Sequence, residues 1–184
     1  MKYAELLRHY RAHGMVDAER EIARIKKCDS LSEAIDRAAK CINYDDKRHS
    51  HQRRIRKSAL LQATKSLKKY ITDFEGCRNF DDVLKIVSDN TRILGIGDLY
   101  RYDVAHRISA YLGFFPDKIY LHAGTREGAK IHATVHNKHW ITKSEVHREL
   151  RILSESDIEN FLCIYKNNVI RNLCSTKSPT RRCS

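Results

Sequence analysis

Proline occurs only twice in the chain, at Pro116 and Pro179, and the seven glycines are unevenly spread. Five of them, Gly95, Gly97, Gly113, Gly124 and Gly128, fall within one stretch of 34 residues. Both residue types interrupt regular backbone, proline through its missing N–H and glycine through its conformational freedom. Long tracts lacking both favour helices, with one conformationally demanding region around residues 95–128. Apolar residues recur at helical spacing through these tracts. Leu6, Leu7 and Tyr10 mark a helix over 3–13 that Gly14 stops, and Ala18, Ile22 and Ile25 mark another over 17–27. Ser30 or Ser32 is placed to cap a third, which carries Leu31, Ala34, Ile35, Ala38 and Ile42 on one face. A stripe from Ile55 through Ala59, Leu60, Ala63, Leu67 and Ile71 reaches about Phe74 before Gly76 breaks it. Phe80, Val83, Leu84, Ile86 and Val87 belong to a helix capped by Asn79 or Asp81. Asp98 opens the next, and Gly113 ends it. Residues 118–122 read as a short strand or an extended link, Thr142 or Ser144 starts a further helix, and 154–165 form the last. The expected fold class is all-α, a compact helical domain.

The 184 residues suit one domain able to bury a real core. Within it, 1–46 form N-terminal helices, 47–72 a basic segment and helix, 73–165 the core, and 166–184 a basic tail expected to be flexible. Hydrophobic residues make up 41% and charged residues 32%, the balance of a soluble globular protein. No apolar run approaches the ~18 residues that span a bilayer, and the N-terminus lacks a charged-then-apolar export pattern. A cytoplasmic location without membrane contact is the expectation. The six cysteines, Cys28, Cys41, Cys77, Cys163, Cys174 and Cys183, form no Cys-x-x-Cys pair. They read as reduced thiols, Cys183 as a reactive thiol in the tail.

The net charge of +12 has an address. Residues 1–46 hold nine basic and nine acidic side chains, and 73–159 hold twelve and fourteen. Residues 47–72 hold nine basic side chains and no acid, and 160–184 five and none. The densest run, Lys47-Arg48-His49-Ser50-His51-Gln52-Arg53-Arg54-Ile55-Arg56-Lys57, packs six permanent charges into eleven residues. If its second half is helical, Arg53, Arg56 and Lys57 share a face. The planar arginine fork suits phosphate, so Arg48, Arg53, Arg54, Arg56 and Lys57 are candidate nucleic-acid contacts.

Chemistry-bearing residues cluster at two places. His49 and His51 form a possible acid–base pair for a phosphodiester, although an extended backbone would point them to opposite sides. Asp103 and His106 form a second candidate pair, with Asp103 equally suited to pairing with Arg101, Arg107 or a basic residue of 47–57. Gly124-Thr125-Arg126-Glu127-Gly128-Ala129-Lys130 fails as a P-loop, being one residue short and followed by Ile131. His132, His136 and His139 would share a face if one helix held them, and a solvated helix suits them better than a metal site. No metal is expected.

Ile93-Leu94-Gly95-Ile96-Gly97, between two helical segments, resembles the helix-hairpin-helix motif of DNA-binding proteins over residues 80–113. The resemblance implies phosphate binding by the backbone amides at Gly95 and Gly97, with no base readout and sometimes a monovalent cation at the hairpin. Arg92 and Arg101 would offset the acid at Asp98. Leu94 replaces the usual proline, and Asp98-Leu99-Tyr100 follows where small or basic residues are common. Some members are base-excision glycosylases with a catalytic aspartate beyond the hairpin. Asp103 stands six residues past Gly97, closer than in those enzymes. The segments 47–54, 95–108 and 120–124 are also similar to a group of uncharacterised bacterial proteins, which implies a helical domain around a hairpin-like element and no stated activity.

The expectation is a nucleic-acid-binding protein, DNA ahead of RNA, contacting the phosphate backbone with little sequence preference. The alternatives are a nucleic-acid-processing enzyme using Asp103 and His106 or His49 and His51, and a protein-interaction module with a basic docking patch.

Overall fold

The computed structural model describes residues 3–134 and 138–167. Its helices cover Tyr3–Ala12 (α1), Gly14–Lys26 (α2), Leu31–Ala39 (α3), Lys57–Leu67 (α4), Ile71–Glu75 (α5), Phe80–Asn90 (α6), Asp98–Leu112 (α7), Ala123–His132 (α8) and Glu155–Ile164 (α9). Short polar side chains start several of them. Ser30, Asn79 and Ser154 accept the backbone N–H of Glu33, Asp82 and Asp157, satisfying donors that a helix leaves unpaired in its first turn. Gly113 closes α7 in the left-handed conformation. The only regular sheet among the described residues is an antiparallel pair, Ile119–Tyr120 (β1) with Trp140–Ile141 (β2), in which Ile119 faces Ile141. The fold is mostly helical, as the scarcity of proline and glycine requires.

Two apolar clusters hold these elements. The first joins α3, α4, α5, α6 and α7 through Ile35, Leu67, Phe74, Val83, Tyr100 and Ile108. The second joins α1 to the C-terminal half through Leu6, Tyr10, Ile119, Ile141, Leu150 and Phe161. The chain therefore returns to its own beginning, and α1 and α9 lie in one core although they come from opposite ends of the sequence. Tyr10 donates from its hydroxyl to Asp157 at 2.8 Å within that junction.

The structure corrects several local expectations. Gly14 begins α2 rather than stopping α1, and a Cβ there would lie 2.7 Å from the Tyr10 ring. The basic run holds only a 3-10 turn over Ser50–Gln52 and no α-helix before Lys57. Arg56 is extended, and Arg48 donates to the carbonyls of Gln52 (2.8 Å) and Ile55, bending residues 48–55 back on themselves. The stripe from Ala59 to Phe74 is carried by α4 and α5 with a 3-10 turn over Lys68–Tyr70 between them. No α-helix starts at Thr142 or Ser144. A capped 3-10 turn over Lys143–Glu145 gives way to extended Val146, which bridges to Ala133 and sits buried in the second cluster. α8 ends at His132, so the three-histidine face does not form. His132 is buried and bonded to the Tyr3 hydroxyl at 3.1 Å, and His136 lies outside the described residues. Cys174, Cys183 and most of the 166–184 tail also lie outside them.

Candidate functional site

α7 buries residues on every side, from Tyr100 and Tyr102 through Arg107 to Ser109. A polar side chain on such a helix must meet another element or a cavity, because burying it unpaired is costly. Tyr102, Asp103, His106 and Arg107 follow i, i+1, i+4, i+5 spacing and share one side of the helix. That side forms a wall of a cleft of about 380 Å³. The 43–53 loop forms a second wall, and α2 and α9 contribute Glu21, Glu159 and Asn160.

The 3-10 turn over Ser50–Gln52 brings His49 and His51 to the same side, with ring centroids 5.4 Å apart. An extended backbone would have separated them. His51 Nε2 lies 2.9 Å from Asp103 Oδ2, and Gln52 donates its amide to the same oxygen. Cys41 Sγ donates to Gln52 Oε1 at 2.6 Å, so a buried thiol orients the amide that orients the carboxylate. Burial pushes the Cys41 thiol up to about 12, which keeps it a donor. Burial alone would raise the Asp103 carboxyl. The hydrogen bond from His51 and the charges of Arg107, His51 and His122 outweigh it and hold Asp103 low.

A second pair faces the first. Arg107 Nη2 donates to His49 Nε2 at 2.8 Å, and Glu21 Oε2 lies 3.3 Å from that nitrogen and 3.8 Å from Arg107 Nε. Burial raises the Glu21 carboxyl, but the neighbouring His49 ring, the Arg107 charge and the Tyr44 N–H prevail and lower it. Behind this, Tyr102 and His106 lie parallel with centroids 5.9 Å apart. His122 Nε2 and Glu159 Oε1 are 2.5 Å apart beneath Tyr102, and Thr125 donates to the same Glu159 oxygen at 2.6 Å. Burial and the Arg107 charge lower His106, while the Glu159 bond and charge overcome burial and raise His122.

Three buried polar atoms on this wall have no hydrogen-bond partner among the described residues: Tyr102 Oη, His106 Nε2 and Arg107 Nη1. Arg107 is only 6% exposed and Tyr102 only 5%. Unpaired donors at such depth are destabilising unless a ligand or solvent engages them. By contrast, the His51 side chain is 46% exposed, at the mouth of the cleft. The site thus has an exposed imidazole oriented by a carboxylate, above a buried guanidinium with a free N–H.

The cleft gathers His49, His51, Asp103, His106, Arg48 and Arg53 from the sequence candidates. Arg48 is already engaged with the carbonyls of its own loop. Arg54, Arg56 and Lys57 are exposed beside the site but do not line it. Gly95, Gly97 and Arg101 belong to the turn before α7; Gly97 precedes Asp103 by six residues, about 9 Å along the axis. Gly95 is left-handed with φ +89, and a Cβ on either glycine would meet open space within 4 Å. Arg101 is turned inward, bonded to Asp98 at 2.8 Å and to the carbonyls of Thr91 and Ile96. The turn and the basic run therefore do not build one cleft. The P-loop-like segment does not gather a second anion site either, because Arg126 donates to the Leu121 and Lys138 carbonyls and His122 is buried with Glu159.

Sequence reasoning missed Glu21, Gln52, Tyr102 and Glu159, and gave Arg107 only an ion-pairing role. For Tyr102 and Arg107 a signal existed in the polar i, i+1, i+4, i+5 spacing within an apolar helix. Glu21 and Glu159 carry none, since each is one acid on an ordinary amphipathic helix. Among the described residues no group of three or more His, Cys, Asp and Glu side chains is arranged to hold a metal ion, and no helix is long and apolar enough to cross a membrane. Comparison with protein-family models, with curated proteins and with solved structures finds no match to this chain.

Proposed function

We propose that the protein binds nucleic acid through its phosphates and processes it in the α7 cleft by acid–base chemistry on a phosphoester. The observation that carries this reading is the His51–Asp103 pair at the cleft mouth, at 2.9 Å, above the unpartnered Nη1 of buried Arg107. With Nε2 donating to Asp103, the Nδ1 of His51 is the nitrogen left to accept a proton from an attacking hydroxyl. Arg107 supplies a fixed positive charge and free hydrogens for the phosphoryl oxygens, where charge builds as the bond to the leaving oxygen breaks. His49, whose Nε2 accepts from Arg107, holds that guanidinium beside the reacting phosphate, and water returns the proton to the leaving oxygen. Asp103 already accepts from His51 and Gln52, which suits a carboxylate that orients a base better than a glycosylase-type role of its own.

The rim supports the binding half of the reading. Arg53, Arg54, Arg56 and Lys57 are exposed, and none forms an ion pair among the described residues. The α6–turn–α7 unit supports a further phosphate contact of helix-hairpin-helix type, since left-handed Gly95 and the open space at Gly97 leave the backbone accessible. That resemblance favours DNA over RNA.

The test is incubation with duplex and single-stranded DNA and RNA, comparing the native chain with His51→Ala and Asp103→Asn. Product from one of these substrates, lost in both variants, is the expected result. No product from any substrate removes the enzyme and leaves a phosphate-binding protein, whose affinity must then fall steeply with salt. Salt-insensitive binding would remove that as well and favour a basic patch that docks on a protein.

A further inference from the structure

His106 belongs to two cavities at once. Beside the polar cleft lies a second hollow of about 460 Å³, which His106 also lines. The two share Ala18, Ile22, His106, Ser156 and Asn160, so they open side by side as one depression with a common lining. Each volume falls within the usual range of small-ligand sites, ~300–1,000 Å³.

Their chemistry differs. The first compartment balances Lys47, Arg48, Arg53 and Arg107 against Asp17, Glu21, Asp103 and Glu159, and Arg107 Nη1 is unpartnered among the described residues. The second is walled by Ala23, Phe115 and Pro116, and its charges are Lys26 against Glu19, Glu155 and Asp157. An acidic, partly apolar hollow repels phosphate and accepts a flat neutral group. Phe115 is 48% exposed, an aromatic side chain lining the cavity. Lys26 Nζ lies 5.3 Å from the centre of that ring, and His106 stands edge-on to it at 6.5 Å. The Nε2 of His106, which lines both compartments, is buried and without a partner among the described residues.

From this juxtaposition we infer that the second hollow is a nucleobase subsite, and that one unpaired nucleotide spans the depression with its phosphate at Arg107 and its base against Phe115. The inference rests on the phosphate reading of the first cleft and specifies the substrate: a nucleotide outside a duplex, at a strand end or extruded from the stack. Stacking on Phe115 is tolerant of base identity, because every base presents a π face. The acids lining the hollow suit the amino groups of a base edge, and His106 Nε2 is placed to bond the sugar or the base as it crosses between compartments.

Calorimetric titration of the full chain with nucleoside 5′-monophosphates and with ribose 5-phosphate, which lacks the base, tests this. The expected result is that the best nucleotide binds about ten-fold tighter than the sugar phosphate, the gain from one base stack. Phe115→Ala should abolish that difference and Phe115→Trp should keep it, while Arg107→Gln weakens both ligands. Because Phe115 is half exposed, its truncation leaves both apolar clusters intact. Equal affinity for the two ligands in the native chain, or equal loss of both in Phe115→Ala, overturns the base subsite and leaves the phosphate reading standing. Binding of neither ligand, or binding indifferent to Arg107→Gln, overturns both.

Discussion

His51 and Asp103 stand 52 residues apart in the chain and 2.9 Å apart in space. The contact joins a bent loop to a central helix, and it gives an exposed imidazole a fixed tautomer. Asp103→Asn keeps the shape but removes the charge and allows an amide hydrogen to face the ring. Acid–base groups of this kind contribute ~100-fold or more to rate. Cleavage by Asp103→Asn and by His51→Ala should each fall by at least about that factor, with substrate affinity largely retained. Single-turnover rates measured beside equilibrium binding separate the two effects. A loss confined to affinity would mean that the pair only positions the loop.

The rim arginines predict a different behaviour. Arg53, Arg54 and Arg56 are exposed and lie outside any ion pair among the described residues, so replacing all three leaves both apolar clusters untouched. Each lost phosphate contact should reduce the slope of log affinity against log salt by about 0.7–0.9. The triple alanine variant should therefore bind more weakly at low salt and lose about two units of slope if all three reach phosphate. Affinity measured from 50 to 300 mM salt, by fluorescence anisotropy of a labelled oligonucleotide, checks this. An unchanged slope would place the nucleic acid elsewhere.

A third prediction concerns pH. His122 and Glu159 are paired at 2.5 Å, and the pairing raises the His122 pKa above its ordinary 6.5 while burial lowers that of His106. A histidine raised in the folded state contributes stability that is complete below the unfolded value, about 6.5. That contribution is lost as pH rises through the higher folded value. Proton NMR of the imidazole resonances should show His122 titrating above 6.5 and His106 below it. The reverse order would mean that Glu159 does not control His122.

Gly128 offers a test of packing. A Cβ at this position would lie 1.9 Å from the Leu162 carbonyl oxygen, where α8 and α9 touch backbone to backbone. Backbone cannot move aside as a flexible side chain can, so Gly128→Ala should destabilise the fold by roughly 1–3 kcal/mol. Urea denaturation followed by circular dichroism reads the shift in midpoint. A midpoint equal to that of the native chain would mean that the two helices separate more easily than their contact implies.

Much of the fold is legible from short-range rules. The caps at Ser30, Asn79 and Ser154 and the stop at Gly113 can be read because a helix end is decided within four residues of the chain. The breaks that were missed have distant causes. Extended Val146 answers to a bridge with Ala133, and the late start of α4 at Lys57 answers to the bonds Arg48 makes with residues 52 and 55. His132 looks like a surface histidine until α1 arrives from the other end of the chain and offers the Tyr3 hydroxyl.

The site divides in the same way. Sequence alone singled out His49, His51, Asp103 and His106 as candidates, and determined that the positive charge is concentrated beside the first two. It could not determine that they face one cleft, because the partners of the two loop histidines come from elsewhere: Asp103 for His51, Arg107 and Glu21 for His49. Nor could it separate the Gly95 turn from the basic run, since both suit phosphate. Residue type and local spacing set what a side chain can do, because propensity and periodicity act over a few residues. What it meets is set by packing, which brings together positions that the chain keeps dozens of residues apart.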